Sequence, residues 1–285
     1  MRFLQGRVAV IAGGSSRSGA ALARRFADEG MKIVLADADK PRVDALVAEL
    51  RAQGAEAIGV PANLTKPGEA QRLLEATVSA YGAAHVLCNN ASVLTGSLQM
   101  DMWHWIADVD LGTTIAICRA FLPLLAAQEE AHIVNTCAAP GLTGLPAASP
   151  SLRDVHAAMR SGVWGMSQNL SDELGRGHPN IGVSLLVPEF TRTDAAHFAR
   201  AMAGDPTQAG LIAQAGLMAK APGRTPLPRA AVGRDPLAMA GLVCDAVRKR
   251  RFYVLPHQQK FAQLLDIHLR RRMDVNAAPV RAPRH

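Results

Sequence analysis

The chain has 285 residues and 30.2 kDa, enough for one large domain or two small ones with a sizeable core. Its 49% hydrophobic and 19% charged residues exclude intrinsic disorder. The net charge of +7 sits almost wholly in residues 248–285, which carry +8 and leave the first 247 residues near neutral at −1. The charge reads as a solvated tail, and no nucleic-acid partner is expected. The sequence shows no apolar run of membrane-spanning length, and MRFLQGRVAVIAGG lacks the h-region and cleavage site of a signal peptide, so no membrane partner and a cytoplasmic location are expected.

In chain order, β-branched runs at Arg7–Ala12, Lys32–Asp37, Glu56–Val60, His85–Asn89, His132–Cys137, Ile181–Val187 and Phe252–Leu255 predict seven strands. Amphipathic stretches near 19–30, 41–53, 67–82, 101–128 and 156–176 predict helices between them. Strands with few charges alternating with helices predict an α/β fold, a doubly wound parallel seven-stranded sheet forming a single domain over 1–285. Residues 190–235 break the alternation. They are rich in Ala, Gly, Pro and Met, with Pro206, Pro222, Pro226, Pro228 and Pro236 read as helix stops. Their place after the sixth strand predicts a lid whose Phe198, Leu211, Ile212 and Leu217 favour a mostly apolar small molecule. The last strand and a basic tail occupy 248–285. The cysteines, Cys88, Cys118, Cys137 and Cys244, form no CxxC pair, so no metal site is expected and a reducing compartment is.

The first strand runs into Ala12-Gly13-Gly14-Ser15-Ser16-Arg17-Ser18-Gly19 and then a helix. Glycines at such a turn let the backbone approach a pyrophosphate resting on the free N–H groups of the helix start. Asp37 closes the second strand, where a carboxylate binds both ribose hydroxyls and repels a 2′-phosphate, favouring NAD over NADP. In these features, over roughly residues 4–195 and again at the last strand, the chain resembles the short-chain dehydrogenase/reductase family. Gly13 and Gly19 match the first and third glycines of TGxxxGxG, with Arg17 at the middle one and Ala12 for the Thr. The family's NNAG is Asn89-Asn90-Ala91-Ser92, its adenine-touching acidic residue corresponds to Asn63, and PGxVxT is Pro188-Glu189-Phe190-Thr191-Arg192-Thr193. The resemblance implies cofactor contacts from Gly13, Ser15, Arg17, Gly19, Asp37, Asn63, Asn90 and Thr193. It also implies pairing of copies through the helices near 101–128 and 156–176, giving a homo-oligomer or a hetero-oligomer with a relative.

The family's chemical positions are rewritten. Its Asn-Ser-Tyr-Lys set corresponds here to Asp110, Ala138, His156 and Arg160, with Cys137 just before the lost serine. His156 and Arg160 are four apart and share a helix face. A histidine titrates near pH 6.5 and suits acid–base work at neutrality. Arg160 would clamp a carboxylate or phosphate, or favour neutral imidazole; Asp110 would pair with His156 and fix its tautomer. Arg17 places a long side chain where backbone should meet pyrophosphate, which puts NAD binding in doubt. Three functions follow: redox-neutral acid–base chemistry of the isomerase, lyase, dehydratase or cyclase type, which is the leading reading; an atypical NAD(H) oxidoreductase with His156 as proton donor and acceptor; and a non-catalytic partner subunit. Trp103, Trp105 and Trp164 read as packing residues, and Cys137 as an inert buried thiol.

Overall fold

The computed structural model describes residues 1, 3–91, 100–137, 154–188 and 235–255, together with 259, 262, 263, 266 and 270, leaving aside the side chains of 100–102 and 154–157. Seven short strands form its frame: β1 (Val8–Ala12), β2 (Lys32–Asp37), β3 (Ala57–Pro61), β4 (Val86–Asn89), β5 (Ala131–Thr136), β6 (Ile181–Leu186) and β7 (Tyr253–Val254). All pair in parallel, in the order β3-β2-β1-β4-β5-β6-β7. The predicted strands match these to within one or two residues. Because β1 has β2 on one side and β4 on the other, the chain reverses its direction of growth there, and a crevice opens beyond the carboxyl ends of β1 and β4.

The helices are α1 (Arg17–Asp28), α2 (Lys40–Ala52), α3 (Glu69–Tyr81), α4 (Met100–Ala107), α5 (Thr113–Ala126), α6 (Asp154–Gly177) and α7 (Pro236–Lys249). Side chains cap three of them: Ser16 accepts from the Gly19 N–H, Asp39 from Arg42 and Asp235 from Leu237. Each cap satisfies an amide that the first turn would leave bare. Pro236 corrects its sequence reading. It does not stop a helix but opens α7, where its fixed φ suits the first turn and its missing N–H costs nothing. Arg248 and Lys249, counted in the basic tail, occupy the last turn of α7, where the helix dipole favours cations.

One long helix was expected over 101–128, but a π-helical turn at Asp108–Gly112 separates α4 from α5. The Thr113 N–H reaches back five residues to the Asp108 carbonyl. Hydroxyls of Thr113 and Thr114 take the carbonyls of Val109 and Asp110, at 2.6 and 3.4 Å. Trp103–Ala126 is long and apolar enough to cross a membrane by length and composition. Its Ile117, Phe121 and Leu125 nevertheless pack on the sheet as core.

Successive strand residues face opposite layers. Ala9, Ile11, Ile33 and Leu35 pack with Phe26 of α1, Val43 and Leu50 of α2, and Val243 of α7. Val8, Val10, Val34, Leu87 and Ile133 meet Leu73 of α3, Phe121 of α5 and Leu174 of α6. Both faces are covered, so the strands read as almost uninterrupted apolar runs.

Two histidines peg the other end of the sheet. His85 Nδ1 accepts the Val8 N–H at 3.1 Å. His132 is fully buried, with Nε2 2.7 Å from Ser184 Oγ. Since that hydroxyl donates to the Arg251 carbonyl at 2.6 Å, Nε2 carries the proton and Nδ1 is the bare nitrogen. Nδ1 has no partner among the described residues and points at Gly182, where an added Cβ would stand 2.4 Å away. Burial pushes His132 down to about 3, aided by the N-terminal charge and Arg250. Burial likewise pushes His85 down to about 4, aided by Arg7. Both stay neutral in the folded state while the unfolded chain protonates near pH 6.5, so stability is complete above that pH and falls as pH drops towards 4. For buried His132 the loss is about 1.4 kcal/mol per pH unit, and for half-exposed His85 it is smaller. Urea unfolding between pH 7 and 4 is expected to show this slope, shallower by about that amount in His132→Leu; equal slopes in the two proteins would refute the assignment.

Candidate active site

The glycine-rich turn continues the sheet before it becomes a helix. Gly13 and Gly14 both donate to the Ala36 carbonyl of β2, at 2.9 and 3.1 Å. Gly13 has φ +71, and a Cβ there would lie 2.8 Å from the Ala91 backbone; at Gly19 it would lie 2.1 Å from the Gly13 carbonyl. Only glycine fits either place. Ser16 locks the turn, donating to the Gly13 carbonyl at 2.7 Å while accepting from Gly19 at 3.1 Å. Arg17, expected to crowd the turn, is the first residue of α1 and its side chain is exposed. The N–H groups of Arg17 and Ser18 meet no acceptor among the described residues.

Asp37 ends β2 beside this turn and is 6% exposed. One carboxylate oxygen accepts the Ser15 N–H at 3.1 Å, the other the Asp39 N–H at 3.2 Å. Backbone amides on both sides of the crevice's edge thus fix its orientation. Asn63 follows β3, as expected, but its Oδ1 is taken by Thr65, from N–H at 3.3 Å and from Oγ1 at 2.7 Å. It builds its own turn there, leaving the amide nitrogen as the group open to a ligand.

Asn90 stitches the two halves of the sheet together. Its Nδ2 lies 3.0 Å from Ser16 Oγ and 3.1 Å from Ser18 Oγ, and Thr136 Oγ1 donates to its Oδ1 at 3.3 Å. The turn after β1, the end of β4 and the end of β5 therefore share one amide. Below it, Asn89 Nδ2 donates to Asn135 Oδ1 at 2.9 Å and contacts Cys118 Sγ at 3.2 Å, and Asn135 Nδ2 donates to Ser167 Oγ on α6 at 2.9 Å. Burial pushes the Cys118 thiol up to about 12, so it stays protonated. Ser16, Ser18 and Thr136 were not singled out from the sequence. Their only signal was a hydroxyl-rich stretch flanking the glycines.

Arg160 and Asp110 form an ion pair at 2.9 Å, with side chains 1% and 0% exposed. Arg160 also donates to the Thr136 carbonyl at 2.6 Å and, at 3.4 Å, to the Ala91 carbonyl. Cys137 Sγ in turn donates to the Arg160 carbonyl at 3.1 Å. The expectation that Arg160 clamps a ligand's carboxylate or phosphate is corrected by this geometry: its guanidinium faces inward and is spent on protein acceptors. The expected pairing of Asp110 with His156 falls on a side chain outside those described; the described partner of Asp110 is Arg160. The π-helical turn explains the meeting, since widening the helix there lets Asp110 face α6. His156 lies in the first turn of α6, one turn before Arg160, in register with Arg160, Val163 and Ser167. Ala138, Thr193, Ser92, Glu189 and, apart from Asp235, the expected lid over 190–235 lie outside the described residues. Trp105 is buried, and Trp164 donates to Tyr253 Oη at 3.1 Å, as befits packing residues.

Removing one partner of such a pair leaves an uncompensated buried charge. Arg160→Met is expected to cost about 3–5 kcal/mol, whereas Arg17→Ala on the exposed first turn changes stability by less than about 0.5 kcal/mol. Urea unfolding of both variants checks this; a mild Arg160→Met would mean that Asp110 is not held as a charge.

A model of the short chain dehydrogenase family matches residues 7–204. The chain is 32% identical over 200 residues to a 3-oxoacyl-(acyl-carrier-protein) reductase of Synechocystis sp., covering 68% of this chain and 78% of that protein. It is 31% identical over 275 residues to the 1-deoxy-11-beta-hydroxypentalenate dehydrogenase of Streptomyces exfoliatus, covering 92% and 87%. Its fold is similar to a crystal structure of a short chain dehydrogenase/reductase from Burkholderia phymatum in complex with NAD, with a TM-score of 0.78, 30% identity and coverage of 99% and 100%. The doubly wound sheet, the glycine turn bonded to it and these matches together place the chain in the short-chain dehydrogenase/reductase family.

Proposed function

We propose that this protein is an NAD(H)-dependent oxidoreductase acting on the hydroxyl or carbonyl group of a small, mostly apolar molecule. The observation that carries the reading is the intact cradle: two glycines that no other residue can replace, open N–H groups at the start of α1, and a carboxylate at Asp37 oriented by the Ser15 and Asp39 amides. An exposed Arg17 is compatible with a bound dinucleotide. Gly13, Ser15, Gly19 and Asp37 would hold the cofactor's pyrophosphate and adenosine ribose, with Asn63, Asn90 and Thr193 around them; Asp37 would repel a 2′-phosphate. Bound NAD supplies the hydride acceptor, and NADH the donor.

His156 holds the proton in this reading. As a neutral imidazole it accepts the hydroxyl proton of an alcohol, and as an imidazolium it returns that proton to the oxygen of a carbonyl. Its register with Arg160, Val163 and Ser167 supports the assignment, since those three positions anchor α6 against the sheet. Asp110 and Arg160 act through the position of α6. The family's wide use of oxidoreductase chemistry among the similar proteins supports redox over redox-neutral catalysis.

Fluorescence titration with NADH and NADPH tests the cofactor assignment. Binding of NADH, at least about tenfold tighter than NADPH, is expected, a difference of about 1.4 kcal/mol. No binding of either at millimolar concentration would overturn it and return the site to redox-neutral chemistry by His156, or to a non-catalytic partner role. With an alcohol or ketone found by screening, His156→Ala is expected to lower turnover by about 10²–10⁴-fold. Survival of the rate in the variant would remove His156 from the chemistry.

A further inference from the structure

On one side of the switch the strands run outward from β1 to β2 to β3, ending at the glycine turn, at Asp37 and at Pro61. A dinucleotide at such a point sets its pyrophosphate on the first helix and a ribose at the carboxylate after β2. The base joined to that ribose therefore falls over the end of β3. The chain that meets it there is firmly held. The Ala62 N–H donates to the Asp37 carbonyl at 2.9 Å, continuing the ladder between β2 and β3, and Arg72 of α3 donates to the Pro61 carbonyl at 2.5 Å. The Lys66 N–H closes the turn on the Asn63 carbonyl at 2.9 Å.

Within this turn the two ends of the Asn63 amide are fixed. The Thr65 N–H can only donate, so the amide atom 3.3 Å from it is the oxygen, and the Thr65 hydroxyl donates to the same atom at 2.7 Å. Both lone pairs of Oδ1 are thereby used. Nδ2 carries two hydrogens and has no partner among the described residues, so the nitrogen is the end left for a ligand. The neighbouring Leu64 N–H likewise meets no acceptor among the described residues. What Asn63 and Leu64 offer a base at the end of β3 is donors.

Purines differ at carbon six: adenine carries an amino donor there, and guanine or hypoxanthine a carbonyl acceptor. An amide nitrogen set against an amino group leaves both donors without a partner, whereas set against a carbonyl it makes a hydrogen bond. We infer that Asn63, with its oxygen held by Thr65, makes the base subsite select an acceptor at position six of the purine, so that a 6-oxopurine dinucleotide binds at least as tightly as its adenine counterpart. The inference rests on the cofactor reading above and sharpens it at the base. Thr65 is a positioning residue here, because it decides which end of the Asn63 amide the base meets. Aspartate at 63 would give one oxygen to Thr65 and present the other as an acceptor, which suits the amino group of adenine.

Calorimetric titration of the whole chain with NADH and with reduced nicotinamide hypoxanthine dinucleotide tests the inference. The hypoxanthine dinucleotide is expected to bind within about threefold of NADH or more tightly. Binding weaker than that overturns the inference and leaves the cofactor reading standing. In Asn63→Asp the ratio of the two affinities is expected to move towards NADH by about tenfold. In Thr65→Val, where only the N–H still holds the amide oxygen, it moves the same way by less. A general loss of stability would weaken both ligands alike and leave the ratio where it was, so an unchanged ratio in Asn63→Asp overturns the role given to that side chain. Failure of both dinucleotides to bind the intact protein overturns the inference and the cofactor reading together. Should either variant not fold, the two titrations of the intact protein still decide.

Discussion

Two opposite charges without access to water set the terms for the centre of this molecule. Stripping a guanidinium and a carboxylate of solvent costs several kcal/mol for each, and attraction between them offsets that only with good geometry and further hydrogen bonds. Asp110 and Arg160 meet at 2.9 Å, and the terminal nitrogens of Arg160 also donate to the Thr136 and Ala91 carbonyls at the ends of β5 and β4. Satisfying Arg160 thus requires β4, β5, the π-helical turn and α6 to be in place together. An apolar pair of similar size would fill the same space without that requirement, so what the ion pair adds is a defined arrangement of four elements.

The same logic of shared polar groups runs along the sheet's carboxyl edge. Asn90 joins the glycine turn to Thr136, while Asn89 and Asn135 reach Ser167. Ser167 and Arg160 are seven residues apart, two turns on one face, so α6 is fastened at two heights to the end of β5. The sheet's interior supplies rigidity through packing, with Phe26, Phe121 and Leu50 fully buried between the layers. The polar edge converts that rigidity into fixed positions for the crevice.

How much of this was legible in the sequence follows from how local each signal is. The strands are continuous apolar runs buried on both faces, and the glycine turn and Asp37 occupy fixed places between one strand and the next; both were read correctly because neighbours in sequence decide them. The π-helical turn was not legible, because Asp108–Gly112 lies inside an apolar periodic stretch and the partner it brings Asp110 to is 50 positions away. The helix Pro236–Lys249 was hidden by a proline that ends helices in most settings and begins one here because Asp235 precedes it as a cap. Arg17 was judged by the size of its side chain. At the first position of a helix, the side chain leaves the turn and the backbone amide remains, and the amide is what an anion meets.

On the proposed reading, histidine at 156 and arginine at 160 belong to one arrangement. A phenol releases its proton near pH 10 and needs a neighbouring cation to act at neutrality, while an imidazole near 6.5 does not. With histidine at 156, a free cation one turn away would work against protonation and reduce the group's strength as a base. Turning the cation at 160 inward onto Asp110 cancels most of its field at the crevice, because the paired charges nearly offset each other at a distance beyond their own separation. Asparagine at 110 would leave the buried guanidinium without a counter-charge, and lysine at 160 could not bond Ala91, Thr136 and Asp110 in their observed directions. On the proposed reading the three positions depend on one another: histidine at 156 needs no exposed cation beside it, arginine at 160 has an internal structural use, and aspartate at 110 makes that burial tolerable.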